Sequence, residues 1–272
     1  MKVEEIKPYS KDADKGEEVE KMFDSISRRY DLMNTAMSLG QFKVWRNKAL
    51  KTAIEQLPLK DSYNILDVAT GTGDVAFRLH TLLPMAKITG IDLSEGMLRI
   101  ARNKLVELKP EERELIVFGK GDSLSMPFHD GMFNMVSVAY GIRNFSNIGK
   151  GLKEINRVLC NDGVLCVIEL STPEGKITKK AYNFYAGKPF LKLLYYHTPG
   201  AHYFRRGHPL SVKHAGGEFV TVSHLKASFL HIIHNRGAKS NNQQSSLFEC
   251  GKKLLSSVNK FLNTVIFHER GK

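Results

Sequence analysis

The stretch Tyr63-Asn64-Ile65-Leu66-Asp67-Val68-Ala69-Thr70-Gly71-Thr72-Gly73-Asp74-Val75-Ala76 decides the fold. Its first seven residues form a short run that closes on a glycine-rich turn. The turn then opens a helical stretch, Asp74–Leu83. A strand, a tight glycine turn and a helix in that order make the first half of a βαβ unit. The spacing Gly71-Thr72-Gly73-Asp74-Val75-Ala76 fits the G-x-G-x-x-G/A pattern of loops that let backbone approach a bound nucleotide.

Working outward, the same alternation repeats. Lys87–Leu93 is a second apolar run, and Ser94 is placed to cap a helix carrying Met97, Leu98, Ala101 and Leu105 on one face. Glu114–Lys120 is a third run and Met132–Tyr140 a fourth. Phe145, Ile148, Leu152, Ile155 and Leu159 mark another amphipathic helix. Val164–Leu170 is a fifth strand, opened by the turn signal Asn161-Asp162-Gly163. Strands that are apolar on consecutive residues are buried on both faces, and strands alternating with helices imply a parallel sheet. The expectation is an α/β domain with a doubly wound, mostly parallel sheet. Ahead of it, Val19, Met22, Phe23, Ile26 and Tyr30 form a helical stripe, and Phe42–Gln56 is a further helical pattern.

The 272 residues suit one large domain, and a mean hydropathy of −0.26 is that of an ordinary soluble protein. No run approaches the roughly 18 apolar residues of a membrane span. The N-terminus has no secretory pattern. Cys160, Cys166 and Cys250 form neither metal-ligand spacing nor a disulfide framework. The cytoplasm is the expected compartment. The net charge of +12 is unevenly held: residues 186–272 carry 13 Lys and Arg against 3 Glu, and 8 of the 10 histidines. Such asymmetry points to nucleic acid, to an anionic surface, or to a tail of different origin from the body.

The acids choose the ligand of the glycine loop. Asp67 lies four residues before Gly71, and Asp74 directly follows Gly73. Carboxylates crowding that turn would repel the pyrophosphate of a dinucleotide. They would suit a ligand with an ammonium and a sulfonium, which S-adenosylmethionine has. Asp92 ends the second strand, 21 residues after Gly71, where an acid accepts hydrogen bonds from ribose hydroxyls. Asp122 follows the third strand and is placed to meet an adenine amino group. The competing account is that each acid merely caps a helix or forms a turn. Their repetition at the carboxyl ends of successive strands, where open α/β sheets bind ligands, favours a site.

Three blocks carry a resemblance over residues 17–185. The first is Met22-Phe23-Asp24-Ser25-Ile26 with Tyr30-Asp31-Leu32-Met33-Asn34, Ser38, Gly40 and Trp45-Arg46. The second is Leu66–Asp74. The third is Tyr140-Gly141-Ile142-Arg143-Asn144, with Arg157-Val158-Leu159 and Glu169-Leu170-Ser171. Together they resemble the C-methyltransferases of ubiquinone and menaquinone biosynthesis, with Ala69-Thr70-Gly71-Thr72 closer to the menaquinone branch. The resemblance implies a Rossmann-like class I methyltransferase that uses S-adenosylmethionine to methylate a prenylated quinol, demethylmenaquinol, without a metal. It assigns cofactor contacts to Thr72, Asp92, Asp122 and Ser123, beside Asp67, Gly71 and Gly73 of the loop. Departures are Phe42 where the family often has His, Cys160-Asn161-Asp162-Gly163 where many members have Lys-Pro-Gly-Gly, and Ala139 where some have a cofactor-contacting Ser.

Tyr140, Arg143 and Asn144 are the candidate catalytic residues, because a ring carbon becomes nucleophilic when its neighbouring hydroxyl loses a proton. Tyr30, Asp31 and Asn34 are further participants. The competing account makes the tyrosines packing residues, and Asp31 and Asn34 caps. A quinol substrate implies peripheral membrane contact at the inner face, and no nucleic acid is expected. An NAD(P)-dependent oxidoreductase and an RNA methyltransferase are the rival functions. The domain reading is a mobile lead-in at 1–16, a methyltransferase domain at 17–185 and a basic segment at 186–272 that matches nothing in the family. Only Asn263–Phe267 reads as a strand there. Two accounts fit that segment: a divergent C-terminal half, or an out-of-frame or fused tail that leaves the sheet incomplete and the chain inactive.

Overall fold

The computed structural model describes residues 14–38, 41–170 and 228–234 of the chain. Two helices lead, α1 (Lys15–Ser38) and α2 (Gln41–Ile54). The alternating part follows as β1 (Asn64–Val68), α3 (Asp74–Leu82), β2 (Lys87–Asp92), α4 (Glu95–Leu105), a single turn α5 (Pro110–Arg113), β3 (Ile116–Lys120), β4 (Phe133–Ala139), α6 (Ile148–Val158) and β5 (Leu159–Leu170). A sixth strand, β6 (Ser228–His234), joins a sheet that among the described residues is ordered β3-β2-β1-β4-β5-β6. The first five strands are parallel and β6 runs antiparallel to β5.

The consecutive apolar residues of the strands are explained by two cores, one on each face. Leu66 and Val68 of β1 pack with Val136, Val138, Leu165 and the α6 stripe Ile148, Leu152, Ile155 and Val158. Ile65, which directly precedes Leu66, points the other way, with Ile88 and Met135, onto Leu50 of α2, Leu79 of α3 and Leu98 of α4. Burying one such side chain contributes about 1.5–3 kcal/mol. The stripe of α1 behaves as its spacing predicts on one side only: Val19, Met22 and Ile26 are buried, whereas Phe23 and Tyr30 are half-buried and stack edge-to-face. Ser94 caps α4 as expected, accepting from the Met97 amide.

Three local expectations differ. The helix α1 starts at Lys15, inside the segment read as a lead-in. The turn at Asn161-Asp162-Gly163 is not a break between elements but an excursion within β5. The partner register passes from Phe133↔Leu159 to Met135↔Val164, so β5 advances five residues while β4 advances two. And β6 is a strand that the reading of the basic segment missed, although Phe229, Leu230, Ile232 and Ile233 are an apolar run. The strand read at Asn263–Phe267 lies outside the described residues, as does most of 171–272.

Candidate active site

The strand order reverses direction between β1 and β4, and the loops leaving their carboxyl ends diverge there. Ligands of open α/β sheets sit at such a point. The backbone is unusual on both sides of it. Ala69 directly follows β1 with φ 55°, and Tyr140 directly follows β4 with φ 58°. Left-handed conformations of non-glycine residues cost about 1–3 kcal/mol and gather at functional sites. The two turns touch: a Cβ on Gly141 would lie 2.5 Å from the Ala69 Cβ. Tyr140 is held by its amide, which donates to the Ile168 carbonyl at 2.7 Å.

A cavity of about 260 Å³ opens at this point, and both strained residues line it. Gly71, Asp92, Leu93 and Ser94 form one side, Gly121, Asp122 and Ser123 another, and Tyr140, Gly141 and Asn144 a third. The fourth wall is α1, through Val19, Phe23 and Tyr30 with the acids Glu17 and Glu20. Asp14, Glu17, Glu20, Asp92 and Asp122 all line the cavity, and no Lys or Arg does among the described residues. At Gly71, where φ is 57°, an added Cβ would meet nothing within 4 Å, so the turn leaves room for a ligand against its backbone. An acidic cleft with open space at the glycine turn suits a cationic nucleoside and opposes a pyrophosphate. S-adenosylmethionine therefore fits the residues present.

The sequence-predicted residues divide. Gly71, Asp92, Asp122, Ser123, Tyr140 and Asn144 come together at the cavity. Asp92 accepts from the Gly71 amide at 2.8 Å and from the Ser94 amide at 2.9 Å, which ties the loops after β1 and β2 to one carboxylate. Burial raises its pKa, the amides of Ser94, Gly71 and Leu93 oppose that, and the rise wins. Asp122 accepts from the Leu124 amide at 2.9 Å.

Asp67, Thr72, Gly73 and Arg143 are not in the lining. Asp67 is 1 % exposed beneath the loop, accepting from Thr70 Oγ1 and Ser137 Oγ, both at 2.6 Å, and burial pushes its carboxyl up to about 6. Asp74 also faces away, toward Arg46 and Lys104. The two acids chosen from the sequence to repel a pyrophosphate thus do not set the charge of the cleft; α1, β2 and the loop after β3 do. Gly73 stands at the head of α3 with φ 81°, and a Cβ there would come within 2.8 Å of Phe118 and Phe77. Its place is required by packing. Arg143 pairs with the buried Glu169 at 3.4 Å, and its carbonyl accepts from Lys15 Nζ at 3.1 Å.

Sequence reasoning passed over several residues that shape the site. Asp24 Oδ1 accepts from Ser94 Oγ at 2.6 Å and from the Gly96 amide at 2.8 Å, fixing α1 over the loop after β2. Lys15 is buried and donates to the carbonyls of Arg143 and Phe145, both at 3.1 Å. No spacing rule flags such contacts, because they join residues 70 or more apart. Of the other candidates, Tyr30 lines the cavity, Asp31 meets Thr72, and the Asn34 side chain lies outside the described ones.

Comparison with known proteins decides the family. The model of the ubiE/COQ5 methyltransferase family matches residues 11–194. The chain belongs to that family. It is similar to the demethylmenaquinone methyltransferase of Porphyromonas gingivalis, 42 % identical over 184 residues that cover 67 % of this chain and 73 % of that protein. It is also similar to the ubiquinone/menaquinone biosynthesis C-methyltransferase UbiE of Citrifermentans bemidjiense, 39 % identical over 183 residues, 67 % of this chain and 74 % of that protein. Among solved structures the fold is shared with an S-adenosyl-L-methionine-dependent methyltransferase from Methanococcus maripaludis. That match has a TM-score of 0.54 at 14 % identity and covers 80 % of this chain and 95 % of that one. It is shared also with the [4+2]-cyclase SpnF, at a TM-score of 0.56 and 17 % identity over 82 % of this chain and 97 % of that one. As a member of the family the chain is a methyltransferase, with S-adenosylmethionine as its methyl donor.

Proposed function

We propose that this chain methylates a ring carbon of demethylmenaquinol, a prenylated quinol, yielding menaquinol, S-adenosylhomocysteine and a proton that leaves the substituted ring carbon. The observation that carries the reading is the acidic cavity at the β1–β4 switch point, walled by the same Tyr30, Tyr140 and Asn144 that belong to the family-specific blocks. The relatives named for demethylmenaquinone supply the acceptor.

In this reading Asp92 receives the ribose hydroxyls, and Asp122 and Ser123 take the adenine. Gly71 gives room to the amino-acid end, whose ammonium the acidic lining favours. Asp67 and Gly73 act from beneath the loop, and Thr72 through Asp31. The bound cofactor supplies a methyl group on a sulfonium, a leaving group that needs no protein nucleophile. The protein's task is to hold acceptor carbon and methyl in line, which position alone makes fast. It must also favour the phenolate of the quinol. Tyr140 is well buried, which pushes its hydroxyl far above the ordinary phenol range. It therefore keeps its proton and serves as a donor toward the acceptor oxygen. Arg143, steered by Glu169, supplies positive charge beside it, and Asn144 orients the ring.

A quinol with a polyprenyl tail resides in the bilayer, so the enzyme works at the inner face of the membrane. No helix among the described residues is long and apolar enough to cross it. The basic segment 186–272 offers attraction to anionic headgroups. The test compares two acceptors, a demethylated naphthoquinol and the corresponding benzoquinol, by kcat/KM with saturating S-adenosylmethionine. The reading expects the naphthoquinol to be preferred. Preference for the benzoquinol would move the chain to the ubiquinone branch, and turnover of neither would remove the quinol assignment.

A further inference from the structure

Thr72 and Asp74 flank Gly73 in the glycine loop, and both turn their side chains away from the cavity toward one polar cluster. Thr72 Oγ1 donates to Asp31 Oδ1 of α1 at 2.7 Å. Lys104 Nζ of α4 lies 2.6 Å from Asp31 Oδ2 and 3.0 Å from Asp74 Oδ1. A guanidinium nitrogen of Arg46, from α2, lies 3.1 Å from Asp74 Oδ2. None of these five residues lines the cavity. Their two cations and two carboxylates cancel, and the ammonium of Lys104 stands between the two acids.

The cluster joins four elements at the loop that receives the ligand. Helix α1 is tied elsewhere to the loop after β2 through Asp24, to the end of β3 through Glu20 and Lys120, and to the loop after β4 through Lys15. Asp31 is its tie to the loop after β1, at the opposite end of the cavity wall from Lys15. Burial pushes Lys104 down, and Asp31 and Asp74 outweigh it, so the ammonium keeps its proton above the ordinary range. Burial likewise raises Asp74, but Arg46 and Lys104 together hold it below its ordinary value. Without Lys104 the Asp31 and Asp74 carboxylates face each other uncompensated on that side, and like charges at short range repel. The repulsion would lift α1, and with it Val19, Phe23 and Tyr30, from the cavity they wall.

We propose that Lys104 is a positioning residue for the cofactor: by bridging Asp31 and Asp74 it clamps α1 to the glycine loop without touching the ligand. The inference concerns the cofactor and holds whatever acceptor is methylated. Side-chain exposures of 29 % for Lys104, 40 % for Asp31 and 37 % for Asp74 make the clamp sensitive to salt. A plain contribution to folding would lower stability and leave affinity alone, and this separates the two accounts.

The test uses the full chain, with S-adenosylhomocysteine as the probe in calorimetry and thermal melting beside it. Lys104→Met should raise the dissociation constant about tenfold, within the usual range for coupled sites. Lys104→Arg should restore most of the affinity, because the charge and the bridge return. Added salt should weaken binding to the parent chain more than to Lys104→Met. Asp31→Asn keeps an acceptor for Thr72 and removes the charge, and it carries the same expectation should Lys104→Met fail to fold. Unchanged affinity in Lys104→Met with a lowered melting temperature would overturn the proposal, as would equal losses in the Met and Arg variants or parent-like binding by Asp31→Asn.

Discussion

Asp67 and Asp92 stand in like sequence settings, near the carboxyl ends of neighbouring strands, yet the structure uses them differently. Asp92 faces the cavity and gathers two loop amides, so Asp92→Ala should weaken S-adenosylhomocysteine binding by about 1.5–3 kcal/mol, the scale of a hydrogen bond to a charged group. Calorimetry reads this directly, and parent-like affinity would remove the ribose assignment. Asp67 is sealed below the loop, and burial raises its pKa from 3.8 to about 6. A carboxyl raised on folding favours the folded state most when protonated, below pH 3.8. That stabilisation is lost as pH climbs through about 6. Asp67→Asn should therefore flatten the stability profile between those two values, as followed by urea unfolding at stepped pH. An unchanged slope would contradict the burial argument. The sequence showed both acids but not this division, because which way a strand-end carboxylate turns depends on Ser137 and Thr70, one of them on another strand.

At the scale of elements, periodicity was a sound guide wherever a helix or strand buries one stripe or two faces. The runs of β1, β2 and β4 stand where their spacing puts them. Of the stripe read as one helix, Ile148, Leu152 and Ile155 lie on α6, while Phe145 precedes it and Leu159 opens β5, all five buried in one core. Ile155 in α6 is fully buried against the sheet, and Ile155→Ala should cost about 2–5 kcal/mol in denaturant unfolding. Gly73 makes a harder case. A methyl there meets Phe118 and Phe77 at 2.8 Å in a left-handed conformation, so Gly73→Ala should destabilise by about 1–3 kcal/mol and weaken cofactor binding as the head of α3 shifts. Full stability in that variant would show that the loop relaxes freely. What periodicity could not show was the excursion in β5 and the strand β6. The former looks like an ordinary turn in sequence, since Asn161-Asp162-Gly163 has turn chemistry whether or not the strand resumes on the same partner. The latter is a short apolar run, interrupted by His231 and set in a basic segment, so it carries no alternation with helices that would mark it as a strand of the sheet.

Across the whole molecule, function was legible where residues distant in sequence share one sheet edge. The glycine loop, Asp92, Asp122 and Tyr140 all follow strand ends, so topology alone gathers them. The contribution of α1 was legible in part: Tyr30 and Asp31 stand in a family-like block as candidate participants, whereas Lys15 and Asp24 act through contacts to distant loops that no spacing marks. The charge of the cleft comes from Glu17 and Glu20 of that helix together with Asp14, Asp92 and Asp122, and it favours a sulfonium-bearing cofactor over a dinucleotide. The measurement that tests the account most directly is transfer of label from methyl-labelled S-adenosylmethionine to demethylmenaquinol by the full chain, with the product examined for the position of the new carbon. The account predicts label on the ring carbon of menaquinol and release of S-adenosylhomocysteine. Label on a quinol oxygen, or none on the quinol while the cofactor binds normally, would contradict it.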